Sequence, residues 1–580
     1  MKPLTNKEIA KLFRDIAAAY LVKGGNNFKI IAYNQAADSI EQATSELKEL
    51  WEDKQLDSVP GLGKSIQGHL DELFKTGKVK HFEEIKKDIP PAMFDLLNIV
   101  GIGPKTAYKL TKAIDIKSIE DLIKAAKKGK IKILPGFGEK SEQDILTSAT
   151  GYTDQSARQV LPFAYATAQR VIAYMKTSPY CEKIETLGSL RRMVSTVGDV
   201  DIGVASERPD KVMEHFKAFR ETARVLGAGS MASSIVLNNG IQVDLKIQPA
   251  AAFGALLQHF TGSKYHNIKL RELSLKKGMS LSEHGIKHEG KLVKFADEKS
   301  YYNFIGLDYI EPELREDSGE IEAAITHKLP TLIKIEDIKG DLHLHSSYPI
   351  EPSHDLGKDD FKTLISKGIQ LKYQYIGLSD HSPGVSSHTN TQILNLIKKR
   401  TDVIEQEKYS NKNIRILNLL EVDILTNGEI SVPQKGLEML DFAIAGIHSS
   451  HNQDKKTITK RLLSATNNPK IKVISHPTGR LLLERESYEV DWDEVFKACA
   501  RTNTFLEINS WPIRLDLPDT LVRQAKTLGV KFVINTDAHA VIHMDNMYFG
   551  VSVARRGWAT KKDIVNSKSW LEFSKEFGVS

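Results

Sequence analysis

Gly188-Ser189-Leu190-Arg191-Arg192, followed by Val197-Gly198-Asp199-Val200-Asp201-Ile202-Gly203-Val204, is the stretch on which the reading of this chain turns. Side chains alternate along an extended strand, so Asp199 and Asp201 share one face and Val200, Ile202 and Val204 alternate with them. Two carboxylates that close repel unless cations lie between them, as in a two-metal phosphoryl-transfer site. Gly240-Ile241-Gln242-Val243-Asp244-Leu245-Lys246-Ile247 repeats the pattern, with Ile241, Val243, Leu245 and Ile247 inward and Asp244 on the polar face. Together they offer three carboxylates, a Gly-Ser turn whose amides can hold phosphate, and Arg192 to offset triphosphate charge. A plainer account is two exposed strands with acidic outer faces. It leaves the Gly-Ser-x-Arg-Arg before them and the Val-Asp-Leu after them unexplained.

A chain of 580 residues holds several domains, because single cores rarely grow past about 250–300 residues. The hydrophobic share of 41% and charged share of 27% describe a globular rather than a disordered protein. A net charge of +6 does not by itself announce nucleic acid. Local clustering has to carry that reading, as in Lys124, Lys127, Lys128, Lys130 and Lys132. Cys181 and Cys499 are the only cysteines, which argues against a disulfide framework and fits a reducing compartment. No apolar run approaches the roughly 18 residues of a membrane span, and Met1-Lys2-Pro3-Leu4-Thr5-Asn6-Lys7 has no signal-peptide core. A cytoplasmic protein without membrane contact is expected.

Residues 1 to about 150 read as helical with short turns, three of which share a pattern. They are Val59-Pro60-Gly61-Leu62-Gly63-Lys64, Val100-Gly101-Ile102-Gly103-Pro104-Lys105 and Leu134-Pro135-Gly136-Phe137-Gly138-Glu139-Lys140. Each places Gly-apolar-Gly before a helix whose first amides are free to meet phosphate. This is the helix-hairpin-helix pattern, which grips nucleic-acid backbone without reading bases. From about 151 to 255 strands mix with helices and carry the three aspartates. His259-Phe260-Thr261-Gly262-Ser263-Lys264 and a helix-like run with Asn267 follow, and a polar linker reaches Lys334.

The second half has its own logic. Seven short apolar runs recur, most ending in a potential metal ligand: 340–345, 375–381, 419–424, 444–448, 473–476, 505–509 and 532–539. Buried parallel strands look like this, and polar groups at their C-terminal ends mark the active mouth of a barrel. Histidine suits Zn²⁺ or Mn²⁺, and carboxylates bridge such ions.

On these residues the first 325 or so positions resemble an X-family DNA polymerase, the group that includes DNA polymerase beta. Residues from about 335 onward resemble the polymerase-and-histidinol-phosphatase (PHP) domain that prokaryotic X-family enzymes carry at the C-terminus. The resemblance implies a multidomain fold: helical helix-hairpin-helix domains over 1–85 and 86–150, and an α+β nucleotidyltransferase palm over 151–255. A small thumb or fingers subdomain over 256–330 selects the nucleotide, and a distorted seven-stranded (β/α) PHP barrel fills 335–580. It implies Asp199, Asp201 and Asp244 as catalytic ligands of two Mg²⁺ ions, and Ser189, Arg192 and Gly198 as triphosphate positions. His259, Phe260, Gly262 and Asn267 match sugar- and base-facing positions, with His259 standing where the family has tyrosine. DNA contacts fall to Gly61, Gly63, Lys64, Gly101, Gly103, Lys105, Gly136 and Gly138. In the barrel the ligand set is His343, His345, His381, Glu421, His448, His476, Asp537 and His539, for two or three Mn²⁺ or Zn²⁺ ions. The implied partners are gapped or primer-template DNA and deoxynucleoside triphosphates, and the implied state is a monomer. The implied activity is gap filling in base excision repair with a 3′–5′ exonuclease.

Two departures from the family pattern stand out. The aspartate five residues after the second histidine of the opening motif is Ile350 here, with Glu351 and Asp355 as the available carboxylates. The lysine that forms an imine in polymerase beta falls at His69, which cannot form one. Three alternatives stay open: a nucleotidyltransferase acting on tRNA or small molecules, a DNA scaffold with degenerate sites, and the same polymerase with a non-nucleolytic PHP domain.

Imine chemistry needs a neutral primary amine beside the sugar aldehyde, so sugar-phosphate lyase activity is expected to be weak while gap binding persists. Borohydride trapping on an opened abasic site checks this. Strong trapping that disappears in Lys29→Ala or Lys64→Ala would show that another lysine serves, against this expectation.

Overall fold

The computed structural model describes residues 4–42, 47–52, 54–59, 62–99, 101–155 and 158–579. The described part of the first 155 residues is helical. Each hairpin turn feeds a helix: Lys64–Thr76, Pro104–Ala113 and Glu139–Gln155. The first shows why. Ile66, Leu70 and Leu73 recur at helical spacing and are buried, and Gly77 stops the helix in a left-handed cap at φ 78°. Two separate cores form, one around Phe13, Tyr33 and Phe82 and one around Met93, Leu110 and Leu122. The last helix runs across residue 150, and strand structure begins at Gln159.

The five-stranded sheet that follows consists of β1 (Lys183–Thr186), β2 (Val200–Ala205), β3 (Thr222–Ala228), β4 (Ala232–Leu237) and β5 (Gln242–Gln248), in the order β1-β2-β5-β4-β3. Only β2 and β5 run parallel. Val200, Ile202, Val204, Val243, Leu245 and Ile247 are buried against helix Leu161–Met175 and its neighbours, which turns the alternate residues to the other face. Helices Phe253–Thr261 and Lys264–Leu275 and an antiparallel meander over 279–293 complete the first half.

In the second half β6 (Gly340–Leu344), β7 (Tyr375–Leu378) and β8 (Arg415–Asn418) pair in parallel, as do β9 (Glu421–Asp423), β10 (Ala443–Gly446), β11 (Ile471–Ile474), β12 (Phe505–Asn509) and β13 (Phe532–Asn535). β8 and β9 are two parts of one run, so the seven expected staves are present. The ring closes through the Leu344–Ala538 bridge and the Leu342 amide, which donates to Asn535 Oδ1 at 3.0 Å. Strands buried on both faces read as unbroken apolar runs, and those runs are what the sequence shows. Among the described residues no helix is long and apolar enough to cross a membrane.

A buried ion pair joins the sheet to the meander region. Glu298, 4% exposed, accepts from Arg315 and from Arg191, each at 2.6 Å. Burial pushes its carboxyl up, but Arg315 and Arg191 outweigh that and hold it at about 2. The folded pKa lies below the unfolded value of about 4.3. The pair's contribution is therefore whole above that pH and lost as the pH falls through the folded value. Glu298→Ala leaves two guanidiniums uncompensated and should cost about 3–5 kcal/mol of local stability at neutral pH, read as faster amide exchange across residues 256–316. Unchanged exchange there would demote the pair to a bystander.

Candidate active sites and metal centre

The parallel pairing of β2 and β5 sets Asp201 directly opposite Asp244 in register. Asp199, two residues ahead of Asp201, lies in the bend that leads into the strand. Gln242 Nε2 donates to both oxygens of Asp244, at 2.9 and 3.1 Å, and so orients that carboxylate. Gly188 opens a short helix over Gly188–Arg191 with φ +57°, and a Cβ there would stand 2.4 Å from Asp201 Oδ2. Only glycine fits that turn, and its absence of a side chain lets the turn's backbone approach Asp201. Of the three aspartates expected from sequence, Asp201 and Asp244 are thus neighbours across the parallel pair, and Asp199 lies in the bend just before. Adjacent carboxylates at this spacing fit divalent cations as the compensating charge.

Arg192 follows that short helix. Its Nε donates to Glu316 Oε1 at 3.0 Å and its Nη1 to the Thr261 carbonyl. Gly262 lies beside it, where a Cβ would sit 3.1 Å from Arg192 Nη1. His259 and Phe260 meet edge to face with ring centroids 4.8 Å apart, and Lys246 Nζ lies 5.5 Å over the Phe260 ring. Asn267 is turned to the backbone, donating to the His259 carbonyl at 2.8 Å and accepting from Gln258 at 2.9 Å. Gly198 is exposed, and a Cβ on it would come within 3.7 Å of Arg158 Nη1. Arg158 donates to the Thr196 hydroxyl and carbonyl, which holds it against that turn.

The hairpin turns behave as two kinds of glycine. Gly101 and Gly136 have φ of +86° and +82°, a conformation that side chains resist. Gly63, Gly103 and Gly138 face open space, with no heavy atom within 4 Å of a would-be Cβ. Lys64 and Lys105 are exposed in the first turns of the following helices. Gly61 lies outside the described residues. His69 stacks on His81 at 5.2 Å and 6°, His81 Nε2 meets Tyr20 Oη at 2.7 Å, and Lys29 Nζ lies 3.4 Å from that hydroxyl. Burial, then His81, lower the His69 pKa from its ordinary value, although Glu72 opposes them.

At the C-terminal mouth of the barrel the predicted histidines and carboxylates converge around Glu421. Its Oε2 lies 3.1 Å from His343 Nε2 and from His381 Nδ1, and 3.6 Å from His345 Nε2. Its Oε1 lies 2.9 Å from His476 Nε2, 3.2 Å from His448 Nε2 and 2.7 Å from Ser475 Oγ. Asp537 Oδ1 sits 3.2 Å from His345 Nε2 and 3.7 Å from His539 Nδ1. Burial raises Glu421, yet His343, His448 and His381 together hold it well below the carboxylate range. Asp537 is likewise held down by His343 and His345. Burial holds His345, His381 and His476 low, whereas at His343 and His448 the neighbouring carboxylates, Glu421 first, outweigh burial and raise the imidazoles, His448 to about 9.

The donor set fits metal. His343 Nε2, both nitrogens of His345, His381 Nδ1, Glu421 Oε2, His448 Nε2, His476 Nδ1 and His539 Nε2 are buried without a hydrogen bond. Orphaned atoms of this kind are costly unless something else occupies them. Donor atoms within 4.8 Å of one another form the groups His343–His345–Asp537, His345–His381–His539, His381–Glu421–His448 and His354–Asp423–His448. His476 and Asp537 also hold left-handed backbone at φ 26° and 54°, a strain that collects at functional sites.

Residues that sequence reasoning passed over orient this set. Glu507 Oε1 accepts from His343 at 2.7 Å, and its Oε2 accepts from the His476 amide at 2.8 Å. Asp423 Oδ1 meets His448 Nδ1 at 2.7 Å and His354 Nε2 at 3.1 Å. Both carboxylates lie in runs already singled out; their strand positions were a signal that could have been used.

Ile350 is fully buried in the core and faces no ligand. Of the two nearby carboxylates, Glu351 turns outward to His388 at 2.8 Å. Asp355, with its side chain 76% exposed, lies at the rim of the site, Oδ1 3.7 Å from His381 Nε2 and Oδ2 3.5 Å from His539 Nε2. The loop is pinned on both sides. The Ser353 amide donates to the Ser382 carbonyl at 2.8 Å, and the Gly357 amide to the Ser346 carbonyl at 2.9 Å.

Similarity to known proteins agrees with this geometry. Residues 4–79 match the model of a helix-hairpin-helix domain, 94–149 that of a SAM-like helix-hairpin-helix tandem, and 256–316 that of the DNA polymerase beta thumb. The chain is 34% identical over 567 residues to the DNA polymerase/3′-5′ exonuclease PolX of Bacillus subtilis (strain 168), covering 97% of each. It is 25% identical over 355 residues to DNA polymerase lambda of Arabidopsis thaliana, 54% of this chain and 62% of that one. A probable phosphatase of Thermoanaerobacter sp. (strain X514) is 24% identical over 239 residues, 39% of this chain and 89% of its own.

The loop geometry has a measurable consequence. After loading with Mn²⁺ and desalting, Asp355→Asn should retain about one equivalent less metal than the unsubstituted protein, because a neutral amide is a far poorer ligand for a hard cation. Glu351→Gln should retain the full amount. Equal metal content in all three, by plasma mass spectrometry, would remove Asp355 from the ligand set.

Proposed function

The chain belongs to the PolX branch of the family X DNA polymerases, which carry a C-terminal PHP domain, and from this we propose that it fills short gaps in DNA and trims 3′ ends. The observation that carries the polymerase reading is the register of Asp201 against Asp244, with the Gly188 turn pressed on Asp201.

Asp199, Asp201 and Asp244 would hold two Mg²⁺ ions. When bound, such ions lower the pKa of an attacking hydroxyl and neutralise charge on the transferred phosphate. The chain's own part is to place the groups. Ser189 and the Gly188 turn present donors beside the carboxylates, Arg192 supplies positive charge toward a triphosphate, and exposed Gly198 leaves room for it. His259 and Phe260 offer flat faces to the sugar, and Asn267 fixes the backbone of that segment. The open turns at Gly63, Gly103 and Gly138 let backbone amides approach DNA phosphates, with Lys64 and Lys105 adjacent.

In the barrel, His343, His345, His381, Glu421, His448, His476, Asp537 and His539, joined by Asp355, would hold two or three Mn²⁺ or Zn²⁺ ions for phosphodiester hydrolysis from a 3′ end. Glu507 and Asp423 keep His343 and His448 in the orientation that ligation needs. The convergence of orphaned donors supports a working site over a degenerate one. Pairing synthesis with 3′ trimming in one chain supports a role in base excision repair.

The two activities should be separable. Asp201→Ala is expected to abolish extension of a gapped duplex while leaving 3′ digestion close to normal, and His343→Ala to do the reverse. Extension by Asp201→Ala at even about a tenth of the normal rate, ~1.4 kcal/mol in barrier, would rule out this assignment of the polymerase site.

A further inference from the structure

The end of helix Met547–Arg556, in the second half, reaches the nucleotide region of the first. Arg556 Nη1 donates to the backbone carbonyl of Arg192 at 2.7 Å and to Glu316 Oε1 at 3.0 Å. Glu316 Oε1 is the same atom that accepts from Arg192 Nε at 3.0 Å. Arg556 is anchored from behind by Asp519, whose Oδ2 accepts from its Nε at 2.8 Å, and its side chain is 9% exposed. The contact is part of a larger seam. Arg555 donates to Glu313 at 2.7 Å and to the Ile333 carbonyl at 3.1 Å, Arg523 donates to the Ser318 carbonyl, and Tyr165 packs on Tyr548 and Phe549.

One carboxylate oxygen thus serves two guanidiniums, one from each half. A half-buried carboxylate left with a single cationic partner binds it tightly, whereas one shared between two can release either without being stranded. Arg192 cannot turn its full charge to a triphosphate while it alone neutralises Glu316. We infer that Arg556 of the PHP half is a positioning residue for nucleotide addition. It keeps Glu316 paired, fixes the end of the Gly188–Arg191 helix through the Arg192 carbonyl, and so frees the Arg192 guanidinium for the incoming nucleotide. The inference rests on the reading of Arg192 as a triphosphate contact.

Steady-state insertion of one deoxynucleotide into a gapped duplex, with the full chain, tests it. Arg192→Ala should raise the nucleotide KM; if it does not, the reading of Arg192 fails and the inference with it. Given that rise, Arg556→Ala should raise KM about tenfold, in line with a charge-assisted hydrogen bond, with kcat within about twofold. Adding Glu316→Gln to Arg556→Ala should return KM most of the way, because no carboxylate then competes for Arg192. Glu316→Gln alone keeps Arg556 on Asp519 and should lower KM about threefold, a readout that stands even where Arg556→Ala does not fold. An unchanged KM in Arg556→Ala or in Glu316→Gln, a fall in kcat alone, or no recovery in the double variant would each overturn the role assigned to Arg556.

Discussion

The second half of the molecule is organised around one buried carboxylate, Glu421, which would be prohibitive to desolvate alone. Taking such a charge out of water costs several kcal/mol even after relaxation. Here five imidazoles and the Ser475 hydroxyl surround it within 3.6 Å. That many partners cannot come from one strand. They come from β6 and from just past the ends of β6, β7, β10 and β11, while Glu421 itself opens β9, and they meet because the staves run parallel and deliver their C-terminal ends to one mouth. Closing the ring places the Asp537-Ala538-His539 segment beside the opening His343-Leu344-His345 segment.

Much of this is legible in the sequence. Period-two alternation in Ile241–Ile247 and around Asp201 gives the strands, and an inward apolar face leaves the carboxylates only one place to go. The barrel staves are readable as unbroken apolar runs ending in ligand residues. What alternation cannot show is which strands are neighbours. That Asp201 lies opposite Asp244 depends on a parallel pairing between strands separated in the chain by β3 and β4. The Arg191–Glu298 contact was likewise invisible, because nothing in local spacing records a partner 107 positions away.

The segment after His345 shows the opposite limit. Counting residues from the opening motif arrives at Ile350 and finds no carboxylate. A loop is not a strand, however, and the position of its side chains is set by where its ends are tied. With Ser353 bonded to Ser382 and Gly357 to Ser346, the chain returns over the mouth at Asp355. Ile350 then fills the core beneath, in the same apolar cluster as Leu344 and Phe361. A Cβ on Gly357 would stand 2.0 Å from the His345 carbonyl oxygen, so the return path is as close as a backbone can come. Linear spacing is a poor guide wherever a loop folds back on the element that launched it.

The two classes of glycine in the hairpin turns are held by different forces. Gly101 and Gly136 answer to the chain's own backbone geometry, while Gly63, Gly103 and Gly138 answer only to whatever approaches from outside. A lineage that abandoned nucleic acid would still need the first pair to fold, but nothing internal would stop alanine or serine from accumulating at the other three. Drift at those three positions, against constancy at the first two, is therefore a molecular clock for the loss of the ligand rather than the loss of the fold.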